Sequence, residues 1–217
     1  MYNLVMKDFK LGINPWFLAM PFLLGALMLI PGWIYLLVPQ YFFWISVPNI
    51  FGQFKAQNDL MLTMTLPVSK KDKVKARVIV MVILELLHIG VAMIFGLFTI
   101  HLYPNVDYLF FAPHMGFWGV CFVMLGIFNI IFIPMFYKTA YKYGAAMIAS
   151  VVATLLFSIG VQWLAIQNSF IFDTFNGTGA DNTMLQLTIL LVGIAIFAVF
   201  TIVSYNIAIK RFEKVDI

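Results

Sequence analysis

Apolar residues along this chain fall into six long runs, at about 16 to 31, 33 to 54, 78 to 100, 115 to 136, 143 to 166 and 185 to 208, separated by short polar or proline-marked breaks. A hydrocarbon layer about 30 Å thick needs ~20 mostly apolar residues at about 1.5 Å each, and backbone groups in lipid must be satisfied within helices or closed barrels. Runs of this length select helices. The pattern predicts an all-α integral membrane protein with six transmembrane helices in one domain over residues 1–217. Pro31-Gly32 and Val38-Pro39-Gln40 are both turn signals for the first hairpin. Pro31-Gly32 is preferred, because the other choice leaves the second span too short.

Two segments outside the runs are amphipathic. In MYNLVMKDFKLGINP, a helix over 1–14 puts Tyr2, Val5, Met6 and Phe9 on one face and Asn3, Lys7 and Lys10 on the other, before Asn14-Pro15 breaks it. A basic amphipathic helix of this length lies in the membrane interface. The connection 55–77 is too polar over residues 55–59 for membrane and too apolar afterwards for a solvated linker. Leu60, Met61 and Met64, with Leu62, form one or more apolar faces on a short helix that Pro67 stops. Ser69, with Asp72 three residues on, reads as the N-cap of the third long helix. The short helix can rest on lipid or enter a groove on another protein.

Composition agrees: 63% of residues are hydrophobic and 10% charged, against roughly 45–50% apolar in soluble domains. The 13 lysines and arginines all precede span one, follow span six, or lie between spans two and three or four and five. The alternate connections hold Asp107, Asp173 and Asp181 instead. Basic loops stay in the cytoplasm, so both termini are expected there. The densest cluster, Ser69, Lys70, Lys71, Asp72, Lys73, Lys75 and Arg77, serves as a junction anchor on anionic headgroups, worth about 1 kcal/mol per cation. Cys121 is the sole cysteine, so an intrachain disulfide and a CxxC site are both excluded. The first run continues into a second without a small-residue cleavage site and is expected to be a retained span.

Candidate chemistry is sparse. Glu85 and His88 share a face of the third span at i and i+3. A charge at the bilayer centre costs about 2.5–3.5 kcal/mol, so such groups face protein or water. Either they mark a translocation or proton-coupled path, or Glu85 is neutral or paired, bonding to His88 or across to Asn129. The absence of a basic partner in any other span favours the second. The spacing is not HExxH and His101 and His114 sit at the outer ends, so neither a metal site nor a catalytic residue is expected. There is no GxxxxGK[ST], hence no nucleotide cradle of that kind. Gly116, Gly119 and Gly126, with Gly144, Ala145, Ala149 and Gly160, suit close helix packing.

The order of amphipathic amino-terminal helix, apolar hairpin, Asn58-Asp59, then LPVSKKDKVKAR leading into the third span resembles the type 2 permeases of ABC transporters, the small six-span group that includes the phenol-soluble modulin exporter. Leu66-Pro67-Val68-Ser69-Lys70-Lys71-Asp72 matches the segment that follows the second span there, whereas Gln57-Asn58-Asp59 stands where acidic residues are commoner. The resemblance implies that residues 57–66 are a coupling helix seated in a cleft of a separate ABC ATPase subunit, with Asn58, Asp59, Leu60, Met61, Leu62, Met64, Leu66 and Pro67 making the coupling contacts. It implies no cofactor in this chain, ATP and magnesium on the partner ATPase, and a second permease copy in a homodimer or related heterodimer. It implies export of amphipathic peptides or other hydrophobic substrates across a bacterial cell membrane, with the lipid bilayer and no nucleic acid as a partner. The alternative is a stand-alone ion-coupled transporter or channel. That would need charged pairs in several spans or an inverted repeat, and the sequence shows neither.

Overall fold

The computed structural model describes residues 1–215 apart from Asn14, Leu66, Asp107, Ala140 and Tyr141; the side chains of Leu11, Pro15, Leu60 and Met64 also lie outside the described set. What the sequence predicts for Asn14, Leu66 and Asp107, and for the side chains of Leu60 and Met64, therefore lies outside the described residues. The described residues form helices and no strand: α1 Tyr2–Gly12, α2 Pro15–Gly25 with a 3₁₀ turn Ala26–Leu29, α3 Leu37–Tyr41, a π-turn Phe42–Ser46, α4 Val47–Ala56, α5 Asp59–Thr65, α6 Lys70–Leu102, α7 Met115–Lys138, α8 Gly144–Gln167, α9 Ser169–Asn176 and α10 Ala180–Glu213. Among them α6, α7, α8 and α10 are long and apolar enough to cross a membrane, and Trp16–Leu29 is a shorter apolar helix.

The first two runs are less regular than their apolarity suggests. The chain turns at Gly32, whose φ of +72° suits glycine, and Tyr35 Oη donates to the Ile30 carbonyl at 3.0 Å. Helix resumes at Leu37, not residue 33, and reaches Ala56 through the π-turn. Pro48 explains the interruption. It has no N–H to offer the carbonyl four residues back, and the widened turn lets the Val47 N–H reach the Phe42 carbonyl instead.

α7 is the axis of the core. Phe43 stacks on Phe128 with ring centroids 4.1 Å apart, and Phe51 meets Phe132 and Phe136 edge-on at 4.9 and 4.7 Å. Against α10, α7 packs backbone to backbone. A Cβ at Gly119 would meet the Ile189 carbonyl oxygen at 2.5 Å, one at Gly193 would strike the Gly119 carbonyl, and one at Gly126 would meet the Phe197 Cα at 3.2 Å. Gly144 and Gly160 on α8 face open space instead. The outward faces of α8 and α10 are apolar, with Ile148, Leu156, Trp163, Leu191, Val199 and Ile202 all exposed. Lipid is the solvent such faces require.

The bundle has two distinct ends. At one, the loop before α7 is sewn to α9: Ala112 N donates to Asn176 Oδ1 at 2.7 Å and Phe111 stacks on Phe175 at 4.1 Å. At the other, α1, α5, the start of α6 and the end of α10 converge. Lys70 Nζ donates to the Val215 carbonyl at 2.8 Å and to the Glu213 carbonyl at 3.4 Å, so a cation satisfies carbonyls that the end of α10 leaves open.

Candidate functional site

The convergent end is organised by four charges. Arg77 lies two turns into α6 and is 4% exposed. Its Nε donates to Asp8 Oδ2 at 2.6 Å, and its Nη2 donates to Asp8 Oδ1 at 3.2 Å and to Asp59 Oδ2 at 2.6 Å. Lys7 Nζ completes the set, 2.8 Å from Asp8 Oδ1 and 2.5 Å from Asp59 Oδ1. Thr63 Oγ1 accepts from Lys7 at 2.9 Å and donates to Asp59 Oδ1 at 3.0 Å. Two cations and two anions balance, with the guanidinium fork gripping carboxylates from two different helices. The face of Phe54, at the end of α4, lies 3.5 Å from the guanidinium carbon, a cation–π contact that also keeps water out.

Each member is placed by local structure. Asn58 is exposed and adopts a φ of +49°, a left-handed conformation that asparagine tolerates; it reverses the chain between α4 and α5. Asp59 is therefore the first residue of α5 and sits at its positive end. Ser69 caps α6, its Oγ accepting from Asp72 N at 3.1 Å and donating to Asp72 Oδ2 at 2.7 Å. Asp8 shares a face of α1 with buried Leu4. Burial alone would push the Asp59 carboxyl up, but Arg77 and Lys7 outweigh it and hold it below its ordinary value.

The residues predicted for coupling divide by face. Asp59 and Thr63 are buried, whereas Met61 is 75% and Leu62 46% exposed. Asn58 and Pro67 are exposed as well. α5 is thus held from one side and presents methionine and leucine on the other. The basic cluster divides too: Lys71 and Lys75 point outward, Lys70 reaches the end of α10, and Lys73 and Arg77 are buried. Sequence reading placed Lys7 on a polar face and did not single out Asp8. The available signal was an acid at i+4 from a leucine in an otherwise basic helix.

The intramembrane polar residues lie deeper. Asn129 Nδ2 donates to Glu85 Oε2 at 2.9 Å and to Thr201 Oγ1 at 3.2 Å, joining α6, α7 and α10. His88 does not bond Glu85; its ring packs on Phe42 at 4.4 Å. A second buried network was missed altogether. Gln40 Nε2 donates to Ser158 Oγ at 3.2 Å and to Met124 Sδ at 3.3 Å, and Thr154 Oγ1 donates to Gln40 Oε1 at 3.2 Å. Ser150, Thr154, Ser158 and Gln162, spaced four apart, make this the polar stripe of α8. Among the described residues no group of His, Cys, Asp and Glu could hold a metal ion.

What a membrane bundle with a charge-locked end helix is for is decided by likeness. The sequence model of a family described as ABC-2 family transporter protein matches residues 3–213. The chain belongs to the ABC-2 transporter family. No curated protein and no solved structure matches it. An ABC-2 transporter protein is the multi-pass membrane component of its transporter, and its family implies an ABC ATPase beside it. The lock and the exposed face of α5 are accordingly features of an ABC-2 membrane component at one end of its bundle.

Proposed function

We propose that this chain is the permease subunit of an ATP-driven exporter and that α5 is its coupling helix, seated by Met61 and Leu62 in a cleft of a separate ATPase subunit. The observation that carries this reading is the two-sidedness of α5. One side is bolted to α1 and α6 through Asp59, while the other offers exposed apolar side chains. An apolar helix face fits a groove on a partner protein, and the bolted side gives a displacement of α5 no slack before it reaches α6.

On this reading two copies pair around the path, the convergent end and both termini are cytoplasmic, and ATP and magnesium act on the partner. Nucleotide binding shifts the balance between two packings of the spans, and no bond chemistry occurs in this chain. Amphipathic peptides or other hydrophobic molecules in a bacterial cell membrane are the expected cargo, in keeping with 13 methionines and 23 phenylalanines.

The test is co-purification with a co-expressed ABC ATPase subunit, comparing the unaltered protein with Met61→Asp and Leu62→Asp. Both side chains are exposed, so the permease should keep its melting temperature while the ATPase is lost and ATP-dependent transport stops. Retention of complex and transport by both variants would remove α5 as the docking element.

A further inference from the structure

Glu85 is fully buried in the middle of α6, and its surroundings leave a specific pair of atoms unpartnered. Glu85 Oε2 accepts from Asn129 Nδ2 at 2.9 Å. The other carboxyl oxygen, Oε1, has no partner among the described residues, and neither has the other end of the amide, Asn129 Oδ1. Both side chains are wholly shielded. As an anion, Glu85 would bring two lone-pair oxygens into apolar core with a single neutral donor, which costs far more than holding a proton.

The described residues place no cation there to offset it. Among the described residues no Lys, Arg or His forms an ion pair with Glu85; the four ion pairs all belong to the Arg77 cluster. α7 presents Asn129 to Glu85, and α10 presents Thr201 to that same amide. Among the described residues the titratable side chains in the apolar parts of those helices, Cys121 and Tyr137 on α7 and Tyr205 on α10, do not bond it. On α6 itself the titratable neighbour is His88, whose ring lies on Phe42. The nearest formal charge along α6 is Arg77, about 12 Å away at 1.5 Å per residue and already held by Asp8 and Asp59.

We propose that Glu85 is a proton-binding site: a neutral carboxylic acid whose Oε1–H donates to Asn129 Oδ1 while Asn129 Nδ2 donates to Oε2, a reciprocal acid–amide pair joining α6 to α7 inside the membrane. One proton accounts for both orphaned atoms. A carboxylic acid and a primary amide are complementary along one edge, each giving one donor and one acceptor. Removal of the proton sets a bare carboxylate oxygen against the amide oxygen with no cation in reach. The α6–α7 joint is then strong while the proton is held and weakens when it is lost. The inference does not depend on α5 or on any ATPase.

Infrared spectra of the permease in lipid nanodiscs test it directly. At neutral pH a protonated-carboxyl C=O stretch should be present and should vanish in Glu85→Gln, an amide that preserves the reciprocal pairing and should keep the fold. Asn129→Ala retains the acid but removes its acceptor, so the band should move to the higher frequency of an unbonded acid. The melting temperature of the unaltered protein should fall between mildly acid and alkaline buffer more than that of Glu85→Gln, because only the former carries a proton that the exposed chain would release. Absence of the band at neutral pH, an unshifted band in Asn129→Ala, or identical pH dependence of the two melting temperatures would each overturn the proposal.

Discussion

Arg77 Nη2 donates to Asp59 Oδ2 at 2.6 Å, so the foot of α6 and the start of α5 are held together although the chain between them passes through a whole helix and a proline. The same guanidinium holds Asp8 of α1. Three helices therefore share one cation.

Removing that cation should be far worse than removing one anion. Arg77→Ala leaves Asp8 and Asp59 buried with only Lys7 to balance them, and breaking a buried pair by deleting one partner costs about 3–5 kcal/mol. Asp59→Asn keeps the shape and leaves Asp8 on Arg77, so its cost should be about 1–3 kcal/mol. Thermal unfolding in nanodiscs ranks the two; a variant at Arg77 that melts no lower than Asp59→Asn would mean the cluster is not the organising contact.

Acid should open the same lock, and only strong acid. The Asp59 carboxyl is held below its ordinary value of 3.8 by Arg77 and Lys7, against burial. A depressed carboxylate contributes stability that is complete above its unfolded-state value and disappears as pH falls through the folded one. Amide hydrogen exchange across α5 should thus stay slow through mildly acid buffer and quicken only below the ordinary carboxylate range. Loss of protection between neutrality and mild acid would assign the lock to some other group.

The long helices were legible because a run of about 20 apolar residues has few alternatives, and the cap at Ser69 because its spacing to Asp72 is a local rule. The lock was not. Lys7, Asp8, Asp59 and Arg77 are joined across separations of 69 and 52 residues, and a single sequence shows each as an ordinary surface charge. A basic cluster also looks uniform from sequence, whereas the fold divides it into outward lysines, one lysine on the end of α10, and a buried lysine and arginine. The break in the second run was hidden for a different reason: Pro48 lies inside an apolar stretch, and whether a chain answers with a kink or a widened turn depends on neighbours it meets only when folded.

The α7–α10 contact predicts a sharp contrast among glycines. A methyl at Gly193 would strike the Gly119 carbonyl, which is backbone and cannot swing aside, whereas one at Gly160 meets nothing within 4 Å. Gly193→Ala should cost about 1–3 kcal/mol as overpacking. Gly160→Ala should be neutral or slightly stabilising, since alanine is the better helix former. Melting temperatures of the two variants in the same lipid decide it, and equal values would mean the helices part more readily than their backbone contact suggests.

Gln40 sets the position of the broken second helix against α8, and its contribution can be isolated. Its amide oxygen accepts from Thr154 and its amide nitrogen donates to Ser158, all three side chains being buried. Hydrogen bonds between membrane helices contribute about 0.6 kcal/mol on average and up to ~1.7, because the separated helices find other partners. Gln40 lies just before the π-turn, where the backbone is already widened, so fewer local contacts fix this segment than fix α7. A double-mutant cycle of Gln40→Leu with Thr154→Val should therefore give a coupling in the upper half of that range. Additivity within about 0.3 kcal/mol would show that the aromatic stack on Phe128, and not the polar stripe of α8, holds the second helix in place.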